Sequence, residues 1–328
     1  MKFTLSTPRP TFHLSSLAGS ALAWVCVWGA MWGSAQTFAA NTDNKGNYCG
    51  IEGNWVQILG SGGAELDDRR AGVSYIVWID GQAKLLVDAG PGTAVRFDEA
   101  GAKFEDLDAI VFTQLQAAHT ADLIDLIAGA QLGRRDRPLP IYGPGGNEIM
   151  PSTKELLTRM IGPSGAYPLL ADYLTYKEGG FRVKAHNVSA TGKRPGTRFT
   201  NEHMRLSTVP VNHGPIPAIA WRVELGKQSI VFTGDFNNRK NLVPEFAKDT
   251  DALVVSHTIP EVARGAARDI HLLPSQIGRI AKQANARMVI LGQRMNRTRG
   301  RESQTREAIE PNFTGPLIYS NDLECWGL

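Results

Sequence analysis

Histidine and aspartate, residue types that bind metals and transfer protons, follow several apolar stretches of this chain. Such stretches are typical of buried strands, and loops at strand ends commonly carry active-site residues. A single histidine in such a place is more often structural than functional. The shared placement nevertheless favours an active site at one edge of a sheet. Its candidate residues are Asp88, His119, His213, Asp235, His257 and Gln293.

The stretch VFTQLQAAHTADL, residues 111–123, carries the least ordinary member of this set. An apolar strand ends near Thr113, and His119 follows after two glutamines and two alanines. A glutamine carbonyl oxygen is neutral and hard, so it is a weaker zinc ligand than imidazole and suits Mn or Mg better. The stretch therefore offers one strong ligand where a metal site needs several.

Six segments occur in an order and spacing that resemble the metallo-β-lactamase fold superfamily, most closely its ribonuclease Z-like branch and related exported hydrolases. The segments are ILGSGG, LLVDAGPG, PLPIYGP, VPVNHG, SIVFTGD and HLLPSQIGRIAKQANARMVILGQRM. The resemblance covers nearly all of the chain that remains after the predicted signal peptide. The resemblance implies an α+β fold, the four-layer αββα sandwich, with a dinuclear metal site along one edge between the sheets.

The metal motif of that family, T-H-x-H-x-D-H, corresponds here to TQLQAAH, residues 113–119. The resemblance implies that His119, His213 and Asp235 are retained ligands. The first metal position would be lined by Gln114, Gln116, His213 and Asp235, and the second by Ala118, His119, Gln293 and Asp235. Because the retained ligands are divided between the two positions, neither has three strong ones.

The family hydrolyses esters, amides or phosphodiesters with a metal-bound hydroxide, which requires a tightly held cation. We expect no tightly bound cofactor here and at most one weakly held Zn or Mn. By the same resemblance, His271 in DIHLLPS matches the family's general acid, and Asp88 is its supporting carboxylate.

Three function classes follow from this ligand set. The first is an exported, non-catalytic or vestigial hydrolase homologue, with a small-molecule ligand in the old active-site pocket as its expected partner. The second is a hydrolase of ester or phosphodiester bonds that uses one weakly bound metal. The third is a partner-binding scaffold unrelated to the old pocket. Replacement of four ligand positions favours the first class, because adjustment of an active centre normally preserves its metal ligands.

The elements that must position these residues alternate in type along the chain. SYIVWIDGQAKLLVDAG and AIAWRVELGKQSIVFTGD predict hairpins that turn at Gly81 and Gly226. TADLIDLIAGAQLG, PSTKELLTRMIG, PSQIGRIAKQANA and RESQTREAIEPN predict helices. So many hairpins favour two sheets packed face to face with helices outside over one doubly wound parallel sheet.

The formal net charge of +3 is too small to indicate a nucleic-acid partner. One local basic cluster contains Arg294, Arg297, Arg299, Arg301 and Arg306. It predicts a solvated loop and helix face, with an anion-binding rim as the alternative.

The first 39 residues have the order typical of a cleaved signal peptide: a basic start at Lys2 and Arg9, an apolar stretch and a small-residue exit. An uncleaved anchor is the alternative, but the apolar stretch is short for a membrane span of about 20 residues. We expect cleavage after Ala35 or Ala39, a single periplasmic domain over residues 40–328, and no membrane association afterwards.

Two cysteines, Cys49 and Cys325, remain after removal of the signal segment, which contains Cys26. In an oxidising compartment they are most simply interpreted as one disulfide joining the two ends of the domain. Two unrelated free thiols are the alternative.

Overall fold

Two β-sheets packed face to face form the centre of the protein in a computed structural model, which describes residues 49–175 and 181–328. Within these residues the first sheet has the strand order β14-β1-β2-β3-β4-β5-β6, and the second has the order β13-β12-β11-β10-β9-β8-β7. The strands are β1 (Asn54–Gly60), β2 (Ser74–Ile79), β3 (Gln82–Val87), β4 (Ala109–Val111), β5 (Leu139–Pro144), β6 (Val183–Val188), β7 (Gly196–Thr200), β8 (Arg205–His213), β9 (Ile216–Leu225), β10 (Gln228–Phe232), β11 (Ala252–Ser256), β12 (Met288–Gly292), β13 (Leu317–Tyr319) and β14 (Cys325–Gly327).

Helices connect the strands and cover the outer faces of both sheets. They are α1 (Thr93–Glu99), α2 (Ala117–Thr120), α3 (Leu123–Gly129), α4 (Thr153–Ile161), α5 (Asp172–Thr175), α6 (Val243–Phe246), α7 (Ala267–Ile270), α8 (Pro274–Gln283) and α9 (Glu302–Ile309), with 3₁₀ turns at Phe104–Asp106, Ala130–Leu132 and Pro168–Leu170. The predicted start of α4 is confirmed, because Ser152 and Glu155 form a capping box there.

Three apolar clusters show how the layers are held together. In β1, Val56 and Ile58 belong to the cluster between the sheets, whereas Trp55 and Leu59 belong to the cluster under the first helical layer. The alternation follows from the two-residue repeat of a strand. A third cluster lies between the second sheet and helices α6, α8 and α9. The α+β, four-layer αββα sandwich predicted from the sequence is therefore confirmed.

The mixed strand directions bring several strand ends to one edge of the sandwich. Strands β3 and β4 are parallel, and so are β10, β11 and β12. Parallel neighbours end at the same edge of a sheet. The two sheets are joined near this edge, because Ile219 N–H donates to Thr113 O at 2.9 Å and Trp221 Nε1 donates to Phe112 O at 2.9 Å. These contacts fix the polar strand ends of one sheet opposite those of the other.

Both hairpins predicted at Gly81 and Gly226 are present, and both glycines have positive φ. The helix predicted over TADLIDLIAGAQLG is instead divided into the end of α2, helix α3 and a 3₁₀ turn. The division falls after His119, where the Ala89 carbonyl accepts the N–H of Asp122. The structure thus turns the chain between the metal-motif histidine and the helix that follows.

The two ends of the domain meet at the edge of the first sheet. Strand β14 pairs antiparallel with β1, and Gln57 lies opposite Cys325. Cys49 and Cys325 form a disulfide with Cα atoms 5.2 Å apart, as predicted. The predicted signal peptide lies outside the described residues. Among the helices of the described part of the chain, none has the length and apolar character needed to cross a bilayer.

Candidate functional site

Asp88, directly after β3, is the anchor of the site on the first sheet. Its backbone lies in the left-handed region at φ 57°, and its side chain is buried. Oδ1 accepts the Thr113 N–H at 2.8 Å, and Oδ2 accepts the Thr113 hydroxyl at 2.8 Å. Oδ2 also accepts Nδ1–H of His119 at 2.9 Å. Asp88 therefore fixes both the end of β4 and the orientation of the histidine ring.

His119 lies in α2, buried between two carboxylates. Its Nδ1 faces Asp88, and its Nε2 is 3.5 Å from Asp235 Oδ2. Burial alone would lower the pKa of His119, but the charge of Asp88 and the interaction with Asp235 outweigh it and raise the pKa to about 9. An imidazolium here would offset one of the two buried negative charges.

Asp235, after β10, is the centre of the site. Its Oδ2 accepts a hydrogen bond from Gln114 Nε2 at 3.0 Å and another from Gln293 Nε2 at 2.9 Å. Burial alone would raise the pKa of Asp235, but its interactions with His119 and His271 hold the pKa well below its ordinary value. Two amide N–H groups thus converge on the oxygen that, in the family pattern, would face a metal.

Gln114 couples this carboxylate to the histidine. Its Nε2 lies 2.5 Å from His119 Nε2, a contact that needs one donor and one acceptor. A neutral ring accepts the amide N–H, which leaves the second amide hydrogen for Asp235. A protonated ring would donate from Nε2, so the Gln114 amide would have to turn and present its carbonyl oxygen to His119. That oxygen would then also face the Asp235 carboxylate, which repels it. The amide donor therefore opposes the effect of the carboxylates on the protonation of His119.

His213 and His271 approach Asp235 from the other side. His213 is the last residue of β8, and its Nδ1–H donates to Ile270 O at 3.0 Å. Burial lowers the pKa of His213, so the ring is neutral with its lone pair on Nε2. His271 Nδ1 is 3.4 Å from Asp235 Oδ1, and the two imidazole centroids are 5.4 Å apart. His271 therefore lies beside the carboxylate of Asp235.

The remaining predicted positions are not part of this network. Gln116 is half-buried before α2 and caps it without a side-chain hydrogen bond. Ala118 contributes no polar side chain, and its carbonyl oxygen packs against Gly90. His257 is buried near Thr305 and Tyr319, and burial lowers its pKa to about 4. His257 is therefore structural.

Tyr75 is a residue of the site that the sequence analysis missed. Its ring lies on the inner face of β2 against Phe232, with centroids 5.3 Å apart. Its hydroxyl approaches Gly292 so closely that a Cβ there would lie 2.1 Å from it. Burial and the charges of Asp88 and Asp235 raise the pKa of Tyr75, so the hydroxyl stays protonated. The available signal was the spacing in SYIVWI, which places Tyr75 two residues before Val77 and therefore on the same face of the strand.

The residues present do not fit a dinuclear zinc centre. Amide nitrogens, which cannot bind a cation, face Asp235 Oδ2. No group of three His, Cys, Asp or Glu side chains within residues 49–175 and 181–328 has the spacing of a metal site. The carbonyl oxygens Gln114 Oε1 and Gln293 Oε1 are buried there without a hydrogen-bond partner. A metal at this site would therefore gain only these weak, neutral oxygen ligands in addition to Asp235 and the histidines.

Two of the five arginines in the basic cluster near the end of the chain form ion pairs. Arg294 is buried, pairs with Glu302 and lies over the Tyr319 ring, 5.6 Å from its centroid. Arg306 pairs with Glu310 at 3.7 Å. The other arginines of this cluster lie on the exposed loop before α9. The cluster is therefore mostly the solvated loop and helix face that was predicted, with Arg294 as its one buried member.

Known proteins show the same sequence pattern and fold. A sequence profile described as "Beta-lactamase superfamily domain" matches residues 83–292. Ribonuclease Z of Mycobacterium sp. (strain KMS) is 32% identical over 191 residues, which are 55% of this chain and 60% of that protein. Ribonuclease Z of Mycobacterium bovis (strain BCG / Pasteur 1173P2) is 28% identical over 283 residues, 82% of this chain and 96% of that protein. The metallo-β-lactamase fold protein YhfI of Bacillus subtilis, 19% identical, superposes with a TM-score of 0.63 over 83% of this chain and 98% of its own.

Proposed function

Since this chain belongs to the β-lactamase superfamily, we propose that it is a non-catalytic member in which a hydrogen-bonded network takes the place of the metal centre. The observation that carries the proposal is the pair of amide N–H groups, from Gln114 and Gln293, donated to one oxygen of Asp235. A buried carboxylate needs compensating charge or hydrogen bonds. Here the amides and His119 supply what two cations would otherwise supply.

Without a cation, the site lacks the means of activating water that the family pattern implies. A metal lowers the pKa of bound water to about 7, whereas an unassisted histidine is a weak catalyst of hydrolysis. His271 still faces Asp235, but a proton donor alone does not generate the attacking hydroxide. The network is therefore suited to holding the strand ends together or to contacting a ligand.

Metal content tests the proposal directly. Protein purified without added metal and dialysed against buffer should contain well under one equivalent of Zn, Mn or Fe by elemental analysis. The expected result follows from the division of His119 and His213 between two positions. Two tightly held metals per chain would contradict the proposal.

Restoring the family ligands provides the complementary experiment. The combined variant Gln114→His, Gln116→His, Ala118→Asp and Gln293→His should bind metal and acquire weak activity on chromogenic esters or phosphodiesters with added Zn or Mn. The single variant Gln114→His is the matched control and should gain little, because each position would still lack strong ligands. Equal activity of the parent and the combined variant would show that the glutamines are working ligands.

A mononuclear hydrolase is the second candidate. It is favoured by the buried Gln114 Oε1, Gln293 Oε1 and Asp235 Oδ1, which have no hydrogen-bond partner among the described residues. Rotation of the two amides would direct oxygens toward a hard cation such as Mn, which accepts such ligands. Turnover by the parent that rises with Mn and is abolished by Asp235→Asn would favour this candidate over the first.

Export remains part of the proposal. It is supported by the basic, apolar and small-residue order of residues 1–39 and by the disulfide, which is typical of oxidising compartments. The intact mass and N-terminal sequence of protein recovered from the periplasm should correspond to a chain beginning after Ala35 or Ala39. Recovery of the full-length chain in the membrane fraction would contradict cleavage.

A further inference from the structure

A polar cleft of about 320 Å³ lies beside the network, at the same edge of the sandwich. Its walls come from the loops after β5 and β6, from the turn between β8 and β9, and from the loop that follows Asp235. Asn147 braces two of these walls, because its Nδ2 donates to Pro215 O at 2.8 Å. The cleft is thus bounded by connected loops rather than by one mobile segment.

Lys240 is the charged residue of this cleft. Its Nζ donates to Ala190 O at 3.1 Å, and no carboxylate of the described residues lies within ion-pair distance of it. Partial burial lowers the pKa of Lys240. An ammonium has three donors, so two remain after the bond to Ala190. A half-buried cation without a counter-ion costs free energy, and a bound anion would offset that cost.

Further donors surround Lys240. Asn212 Oδ1 accepts from Asn237 Nδ2 at 2.7 Å, which leaves the Asn212 amide N–H group for a ligand. Ser189 and Thr191 line the same cleft, and the hydrogen bond between their hydroxyls, 3.1 Å long, leaves one hydroxyl hydrogen for a ligand. No aspartate or glutamate is among its lining residues. The lining therefore combines one positive charge with neutral donors from separate loops.

We propose that this cleft binds the phosphate group of a small phosphorylated ligand. Lysine binds phosphate as a point charge, with ammonium hydrogens that can be directed at separate phosphate oxygens. Donors that arrive from separate loops match a tetrahedral group better than a planar one. The volume exceeds that of a phosphate, so the rest of the ligand has room.

The position of the cleft indicates how such a ligand lies. Asn212 and Gly214, on either side of His213, both line it. A ligand anchored at Lys240 would therefore extend toward His213 and His271 without placing its phosphate on Asp235. This site differs from the position where a scissile phosphodiester would meet metals. The proposal stands whether or not the network around Asp235 is catalytic.

Inorganic phosphate is the probe for the experiment. Calorimetric titration of the mature protein, in low salt with EDTA present, should show saturable binding. Lys240→Gln should weaken it by at least about tenfold, whereas Lys240→Arg should retain it. Lys248→Gln is the matched control, because Lys248 is exposed at the end of α6 and its loss removes the same charge elsewhere.

A second variant separates ligand contact from loop stability. Asn212→Asp keeps the oxygen that accepts from Asn237 but replaces the free donor with a negatively charged acceptor, so phosphate binding should be lost while thermal stability is preserved. Absence of saturable binding to the parent would overturn the proposal. Equal affinity of the parent and Lys240→Gln would overturn it too, as would equal weakening by Lys248→Gln.

Discussion

At the residue scale, the difference between a glutamine and a histidine at the centre is one of hydrogen-bond direction. A histidine lone pair binds a cation that a carboxylate also binds. The amide N–H groups of Gln114 and Gln293 instead bind the carboxylate of Asp235 directly. The replacement exchanges two metal–oxygen contacts for two hydrogen bonds and leaves the buried charge of Asp235 compensated.

The contribution of one such amide can be measured. Gln293→Leu should lower the free energy of unfolding by about 2 kcal/mol, because Asp235 would lose a donor in a buried site. Urea unfolding followed by circular dichroism measures the change. Gln283→Leu, at the exposed end of α8, is the matched control and should change stability little. Equal effects of the two variants would show that the Gln293 amide does not stabilise Asp235.

The raised pKa of His119 predicts a pH dependence of stability. The pKa in the folded protein, about 9, exceeds the ordinary value of 6.5, so the folded state binds this proton more tightly than the unfolded state. The resulting stabilisation is fully present below pH 6.5 and is lost as the pH rises through about 9. Urea unfolding across this range and NMR titration of the His119 ring measure it.

Asp88→Asn tests the cause of this shift. The neutral amide should lower the pKa of His119 and flatten the pH dependence, because the first of the two charges that favour the imidazolium is removed. A parent His119 that titrates near pH 6.5 would instead show that the N–H donor of Gln114 dominates over the carboxylates.

The sequence predicted which residues meet at the site better than how they interact. The strand-end positions of Asp88, His119 and Asp235 were evident because each follows an apolar stretch. The direction of the glutamine amides depends on side chains from different sheets, so no local pattern contains it. Tyr75 was missed for a related reason, since its hydroxyl reaches across from β2 in the first sheet to Gly292 at the end of β12 in the second.

At the element scale, the contact between Tyr75 of β2 and the end of β12 limits the size of the residue at position 292, directly before Gln293. Gly292 lies against the hydroxyl of Tyr75, so the Tyr75 side chain fills the space that a side chain at position 292 would need. Long apolar strands and capped helices were predictable from hydrophobic periodicity. The edge strands β6 and β7 were missed, because most of their side chains are at least partly exposed and their sequences are polar.

Gly292→Ala tests this approach. The added Cβ would lie 2.1 Å from the Tyr75 hydroxyl oxygen, so the buried Tyr75 side chain or one of the two strands must shift, at a cost of about 1–3 kcal/mol. Gly129→Ala is the control, since no atom lies within 4 Å of a Cβ at that helical position. The control should be neutral or slightly stabilising. Thermal denaturation compares the two, and equal stability of both variants would contradict the packing argument.

At the scale of the whole molecule, pairing of β1 with β14 and the Cys49–Cys325 disulfide fasten the first described residues to the end of the chain. The bridge was predictable from the cysteine count together with the expectation of an exported domain, because the third cysteine, Cys26, falls in the predicted signal peptide. The pairing of β14 with β1 was not predictable, because β14 is only three residues long. The register between Gln57 and Cys325 is a tertiary contact that sequence periodicity does not contain.

Reduction of the bridge should destabilise the fold. The disulfide spans a sequence separation of 276 residues, and on chain-entropy grounds its loss lowers the free energy of unfolding by up to about 5–6 kcal/mol. Urea unfolding of the Cys49→Ser, Cys325→Ser double variant, compared with the oxidised parent, measures the effect. An unchanged unfolding midpoint in the double variant would show that the β1–β14 pairing alone holds the ends.

Joined ends also give the domain a mechanical property. If the protein is stretched between handles fused to its two ends, the load passes from Cys49 to Cys325 through the sulfur atoms, and the chain between the two cysteines is not extended. Cleavage of that bond by a reductant under tension would transfer the load to the short β1–β14 pairing. Unravelling would then release a contour length of roughly 900 Å for the 276-residue separation. Whether the Cys49–Cys325 disulfide is intact or reduced therefore decides whether this domain behaves under tension as a rigid link or as an extensible one.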